Sequence, residues 1–258
     1  MTPEQVRSFG IGSAAQVVRG LYTRDEHHRL TAALNARVPT RRHTQLFGSI
    51  GNQVFRRSNH DRQAIWIHVP KNAGTSLRTA LGFDNAGHVP IARYAAQDSV
   101  AASNYFKFAI VRNPWDRLYS SFTYLRRHKK GASFPDAIYA DRYLRSYDSF
   151  EKFVMSLVDL QTRQRLLDYT HLLPQCYWLT LPGQARPYMD YIGRFENLSA
   201  AYAELSDRFA ISASLPAKNV GKEGAYLDQY TDEMREIVGS VFRCDVETFG
   251  YAFGGAAK

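Results

Sequence analysis

Three short runs of β-formers, AIWIHV (64–69), YFKFAIV (105–111) and MDYIGRF (189–195), each lead into a helical pattern. A strand that feeds a helix and then another strand returns to the same sheet in the same direction. The alternation therefore predicts an α/β fold with a mostly parallel central sheet. The helices carry their own punctuation. Gly82 stops the brief helix SLRTAL. Asn113 and Pro114 stand in the favoured order of N-cap and first helical position before WDRLYSSFTYLRRH. Helical patterns recur around 149–167 and in LSAAYAELSDRF, and Met234, Ile237, Val238, Val241 and Phe242 fall on one helical face.

The first sixty residues read differently. Residues 13–22 suit a short helix, and Thr23 with Glu26 has capping-box spacing before a second helix that ends near Pro39. The segment 40–62, rich in Arg, Gly, Asn and Ser, reads as loop with one weak strand. Residues 1–60 hold too few apolar side chains for a core of their own, so they read as a helical and loop accessory extension to a domain of residues 61–258. A chain of 258 residues, 45% hydrophobic, can bury one sizeable core. No apolar run reaches bilayer length, and the opening MTPEQVRSFGIGSAAQVV is not expected to act as a signal peptide. The two cysteines, Cys176 and Cys244, have no CxxC spacing and read as buried thiols of a cytoplasmic protein. A net charge of +9 favours anionic partners: a nucleotide, a phosphate, an acidic glycan or nucleic acid.

Two segments narrow that choice. PKNAGTS sits where a strand turns into a helix, and a helix N-terminus presents unpaired N–H groups with a partial positive charge. Gly74 allows close backbone approach, Thr75 and Ser76 add hydroxyls, and Lys71 adds a full charge. The order differs from the GxxxxGK[ST] of ATP-binding loops, since Lys71 precedes the glycine. An ordinary strand–turn–helix with a solvated lysine is the plain alternative. In the second segment, Arg112 lies at the C-terminal end of a strand, the edge where open α/β sheets bind ligands. Ser120 follows about two helical turns later. The pair can grip a phosphate from two sides, or Arg112 can simply pair with Asp116. Two separated anion sites suit a nucleotide with phosphates at both ends.

On these residues the chain resembles the carbohydrate-type sulfotransferases that use 3′-phosphoadenosine 5′-phosphosulfate (PAPS). IHVPKNAGTSL is similar to the family's 5′-phosphosulfate loop and FAIVRNPWDRLYSSF to its 3′-phosphate motif, with softer likeness in HLLPQCYWL, YIGRFENL and CDVETFGY. The likeness covers about residues 64–252 and departs from the common pattern at Asn72-Ala73, where many members have Thr-Gly. It implies a P-loop NTPase-like three-layer fold with helices on a central parallel sheet, and sulfuryl transfer from PAPS to a hydroxyl, leaving adenosine 3′,5′-bisphosphate. It assigns the loop Lys71, Asn72, Ala73, Gly74, Thr75 and Ser76 to the phosphosulfate, and Arg112 and Ser120 to the 3′-phosphate. It also places Lys218, Asn219 and Lys222 in a basic segment over the nucleotide, where a solvated loop is the alternative. No metal is required, which accords with the lack of any His/Cys/Asp cluster at ligand spacing in the sequence.

In-line sulfuryl transfer needs a neutralised leaving group and a positioned base. Lys71 fits the first role and His88, in GFDNAGHVPIARY, the second; a loop histidine with a structural hydrogen bond is the alternative for His88. Asp84 is the reserve base and acceptor residue, with His171 and Gln175 as further acceptor candidates. His68 alternates with Trp66 and reads as a core histidine, while Arg194 and Glu196 read as a structural pair. RRHKK (126–130), Arg41, Arg42, Arg56 and Arg57 are candidate contacts for an anionic acceptor, or solvated faces. The expected acceptor is a glycan hydroxyl, with neither nucleic acid nor an integral membrane segment as partner. Competing readings are a P-loop kinase or nucleotide hydrolase, which needs Mg²⁺ and an acidic ligand at a strand end, and a non-enzymatic anion-binding module.

Overall fold

The computed structural model describes residues 53–85, 87–132, 134–215 and 224–256. The helices expected at 13–22 and before Pro39 lie outside these residues. The chain divides into two compact units; Val54–Phe122 with Ser149–Lys258 is the one that carries the sheet. In chain order its helices and strands are α1 (Arg57–Arg62), β1 (Ala64–Ile67), α2 (Gly74–Leu81), α3 (Ile91–Gln97), α4 (Ser99–Asn104), β2 (Phe106–Val111) and α5 (Pro114–Arg126), whose last turn passes into the other unit. Within that other unit the described segment holds α6 (Pro135–Tyr139), with Asp136 accepting the Tyr124 hydroxyl at 2.8 Å. The sheet-bearing unit resumes with α7 (Phe150–Ser156), α8 (Leu160–Leu167), α9 (Gln175–Leu179), β3 (Tyr191–Arg194), α10 (Leu198–Arg208), α11 (Asp232–Val241) and α12 (Arg243–Phe249). A short hairpin, β4 (Tyr251–Ala252) with β5 (Gly255–Ala256), closes it.

All three expected strands form, and they pair in parallel in the order β1-β2-β3, with Ala64 opposite Phe106 and Phe108 opposite Tyr191. Their C-terminal ends therefore share one edge, and the segments beginning at His68, Arg112 and Phe195 leave from it. Side chains of Trp66, Phe108 and Ile110 pack with Leu77 and Leu81 of α2 and Ala201 and Leu205 of α10. Each leucine-sized burial contributes about 2 kcal/mol. Gly193 lets α10 close on the sheet, since a Cβ there would lie 2.6 Å from Ile110 Cδ1 and 2.7 Å from the Ala201 Cβ. Ile65, Ile67, Ala109 and Val111 on the alternate positions are buried as well, as expected of a parallel sheet covered on both faces.

Local signals hold where they are self-contained. Asn113 Oδ1 accepts the Trp115 N–H at 3.1 Å and starts α5. Ser149, Asp159 and Thr231 cap α7, α8 and α11 through Lys152, Thr162 and Met234 N–H groups. Met234, Val238 and Phe242 form the buried stripe of the α11 region. Three expectations fail. The end of the loop read over 40–62 is helical in α1, because buried Asn59 takes the Arg56 N–H and donates to the Ala64 carbonyl, both at 2.8 Å. Cys244 is exposed, although Cys176 is buried as expected. Arg194 and Glu196 do not pair with each other: Arg194 donates to the Phe249 carbonyl and covers the Tyr251 ring, while Glu196 accepts from Asn113 N–H and Tyr251 OH. Among the described residues no helix is long and apolar enough to cross a membrane.

Candidate active site

The turn from β1 to α2 is held in an unfavourable backbone. Lys71 has φ 72° and Ala73 φ 59°, both in the left-handed region, at a cost of about 1 kcal/mol for each non-glycine residue. Neighbours impose the shape. Arg117 Nε donates to the Pro70 carbonyl at 3.0 Å and Arg112 Nη1 to the Lys71 carbonyl at 3.0 Å. Asn72, buried, donates its amide to the Ile110 carbonyl at 2.7 Å and to Gln175 Oε1 at 2.8 Å. Ala73 is then the N-cap of α2 and offers no side-chain cap, and the first turn from Gly74 onward points its N–H groups, with the positive end of the helix dipole, out of the β1–α2 turn. Thr75 is exposed and Ser76 buried on that turn. Replacing Ala73 by Gly is expected to raise stability by about 1 kcal/mol, or roughly 2–4 °C in Tm, by removing the left-handed strain. A thermal melt checks this, and an unchanged or lower Tm would contradict it.

Three histidines from distant parts of the chain meet beside this turn. β1 ends at Ile67 and the chain bends at once, with Val69 N–H on the Ile67 carbonyl at 3.0 Å. His68 therefore stands at the sheet edge, one residue past the strand it was expected to lie in, with its ring still packed inward. Its ring stacks on Trp66 at 4.9 Å, lies 4.3 Å from the His88 ring, and presses on Gly74 so closely that a Cβ there would lie 1.6 Å from Nε2. Burial above all, and then His88, His171 and Arg78 nearby, hold its pKa well below the ordinary histidine value, so His68 is neutral at pH 7. His88 Nδ1 lies 2.8 Å from the His68 carbonyl. A carbonyl can only accept, so Nδ1 carries the proton and the basic lone pair belongs to Nε2. The His171 ring stands edge-on to His88 at 5.6 Å, and Trp178 follows at 6.2 Å.

The other predicted residues divide. Arg112 gives Nε and Nη2 to Asp116, at 2.8 and 2.7 Å, and Nη1 to Lys71, so three of its five N–H groups are engaged. Its guanidinium lies 4.0 Å from the Phe195 ring centroid. Ser120 is half-buried on α5. Gln175 is fully buried: its Oε1 accepts from Asn72 and from Arg112 N–H at 2.9 Å, and its Nε2 donates to the Arg112 carbonyl at 2.8 Å. It is thus a strut between the β1–α2 turn and the end of β2, not an exposed acceptor contact. Asp84 accepts the Ser58 N–H at 3.0 Å, which lowers its pKa, and it borders a small cavity with Trp66, His68, Phe83 and Tyr94. Lys218, Asn219 and Lys222 lie outside the described residues, as do Arg41 and Arg42. Arg57 pairs with Asp61 at an exposed position.

Sequence reasoning missed two supporting groups. Arg117, buried, fans its guanidinium to the carbonyls of Pro70, Leu173 and His171, at 3.0, 2.9 and 3.4 Å. Burial pulls its pKa down to about 10, still charged at pH 7. Asp245, fully buried, accepts the N–H groups of Gln175 and Cys176, both at 2.8 Å, and so caps α9. Burial raises its pKa while Arg117 and these bonds oppose the rise. The Arg in RNPWDR is visible in sequence, but nothing local tells that it faces inward.

Comparison with known proteins adds one match. A family model described as Sulfotransferase family matches residues 55–252, well over half of the chain. No curated protein and no solved structure matches.

Proposed function

The chain belongs to the sulfotransferase family, and from that premise we propose that it transfers the sulfuryl group of PAPS to a hydroxyl of a carbohydrate-like acceptor. The observation that carries the reading is the contact between two anion-binding elements on one sheet edge, Arg112 Nη1 donating to the Lys71 carbonyl. The donor set suits a doubly phosphorylated adenosine. The bare start of α2, with Thr75 and Ser76, offers N–H and O–H donors to a phosphosulfate, and Lys71 adds a charge to offset the one that builds on the leaving oxygen. Arg112 and Ser120 take the 3′-phosphate, Arg112 through the N–H groups that Asp116 and Lys71 do not occupy. Lys218, Asn219 and Lys222 are the further nucleotide contacts of this reading. PAPS, when bound, supplies the activated sulfuryl group.

In this reading His88 Nε2 takes the acceptor hydroxyl's proton, and the Nδ1–H bond to His68 steadies the ring as it becomes cationic. Neutral His68 at 4.3 Å adds no repulsion to that charge. His171, 5.6 Å from His88, and Asp84, on the cavity beside His68, flank the acceptor. The sheet is then the centre of a P-loop-like three-layer fold, residues 61–258 are the transferase domain and 1–60 its accessory extension.

Calorimetric titration tests the reading. Adenosine 3′,5′-bisphosphate is expected to bind without Mg²⁺ and at least tenfold tighter, roughly 1.4 kcal/mol, than ATP with or without Mg²⁺. Preference for ATP with Mg²⁺ would move the protein to the kinases, and indifference to both nucleotides would leave an anion-binding module. Labelled PAPS with a panel of glycans and small hydroxyl compounds then identifies the acceptor.

A further inference from the structure

The two cysteines are far apart in sequence but meet in the fold. Cys176 is the second residue of α9 and Cys244 the second of α12, and these helices pack together. Both sulfurs and an Asp245 carboxylate oxygen lie within 4.8 Å of one another. Both thiols also reach the Thr248 hydroxyl, at 3.5 and 4.0 Å. Their exposures are opposite: Cys244 faces solvent and Cys176 is 6% exposed. Asp245 accepts the Gln175 and Cys176 N–H groups and so is held as a fixed support beside the sulfurs, and the two neighbouring thiols form a pair.

We propose that Cys176 and Cys244 are a redox-active dithiol, which a small disulfide such as oxidised glutathione converts to an intramolecular disulfide joining α9 to α12. The exposed Cys244, as thiolate, attacks one sulfur of oxidised glutathione and releases one glutathione. Cys176 then gives up its proton, attacks the Cys244 sulfur and expels the second glutathione. Two protein thiols are oxidised, one glutathione disulfide is reduced to two thiols, and the two protons leave with them. Burial and the Asp245 charge push the Cys176 thiol up, so the second step is the slow one and the finished disulfide resists reduction. The new bond lies one residue from Gln175, the strut between Asn72 and Arg112. The proposal does not depend on the nucleotide reading.

The test is intact-mass and peptide mapping of the full chain after incubation with oxidised glutathione. The expected product weighs about 2 Da less than the reduced protein, has no titratable thiol, and yields one linked Cys176–Cys244 peptide. Cys176→Ser should stop at the glutathione adduct, about 305 Da heavier, and Cys244→Ser should remain unreacted. A wild-type protein that keeps both thiols, holds a stable glutathione adduct, or links two chains through Cys244 overturns the proposal. So does zinc that binds the reduced protein and protects both thiols from the reagent.

Discussion

Replacing His88 by Ala is expected to lower turnover about 10²–10⁴-fold, the usual worth of a positioned base, while affinity for adenosine 3′,5′-bisphosphate changes less than about twofold. The argument is geometric. The His68 carbonyl fixes the proton on Nδ1 and so assigns the basic nitrogen to Nε2. The ring is further set by His68 at 4.3 Å and His171 at 5.6 Å. The turn at Lys71–Ser76 is held by Arg112, Arg117 and Asn72 instead, through the Lys71, Pro70 and Ile110 carbonyls and Gln175. Binding and chemistry should therefore separate in this variant. Single-turnover kinetics with PAPS, alongside calorimetry, distinguish the two. The limb of the pH–rate profile that reports deprotonation of the base should vanish in the variant. Ordinary turnover in His88→Ala would remove the residue from the mechanism and leave a structural histidine.

Arg117→Met is expected to cost about 3–5 kcal/mol of stability, the usual result of removing one member of a buried charge system. The carbonyls of Pro70 and Leu173 lose the guanidinium, the His171 carbonyl keeps only the Ser121 hydroxyl at 2.8 Å, and the buried Asp245 loses the positive charge that offsets its desolvation. Lysine should not rescue it, because one ammonium cannot span three carbonyls held by a planar fork. Chemical denaturation measures the change, and a loss below about 1 kcal/mol would show that the fan of hydrogen bonds is energetically idle. If the proposed nucleotide site is right, nucleotide affinity should fall as well, since Pro70 precedes the two left-handed residues Lys71 and Ala73.

Local chemistry explains what was legible beforehand. The three strands, the Asn113 cap and the start of α2 after the turn each depend on residues within a few positions of one another, so composition and spacing suffice to read them. His68 was expected inside a strand, but β1 stops one residue earlier and leaves its packed ring at the sheet edge beside Gly74. Gln175 was legible as important but not in its role, which comes from Asn72 and Arg112, both far away in sequence.

By itself the sequence determined the three strands, the helices that follow them and the parallel α/β class, together with which donor groups the segments 70–76 and 112–120 carry, because strand propensity, helix capping and the donor inventory of a turn are short-range properties. Tertiary structure alone decided which groups stand together: the His68–His88–His171 cluster, the Arg117 and Gln175 struts, and the approach of Cys176 to Cys244. Those depend on helix packing and on how buried polar groups find partners across the chain, and no window of neighbouring residues contains that information.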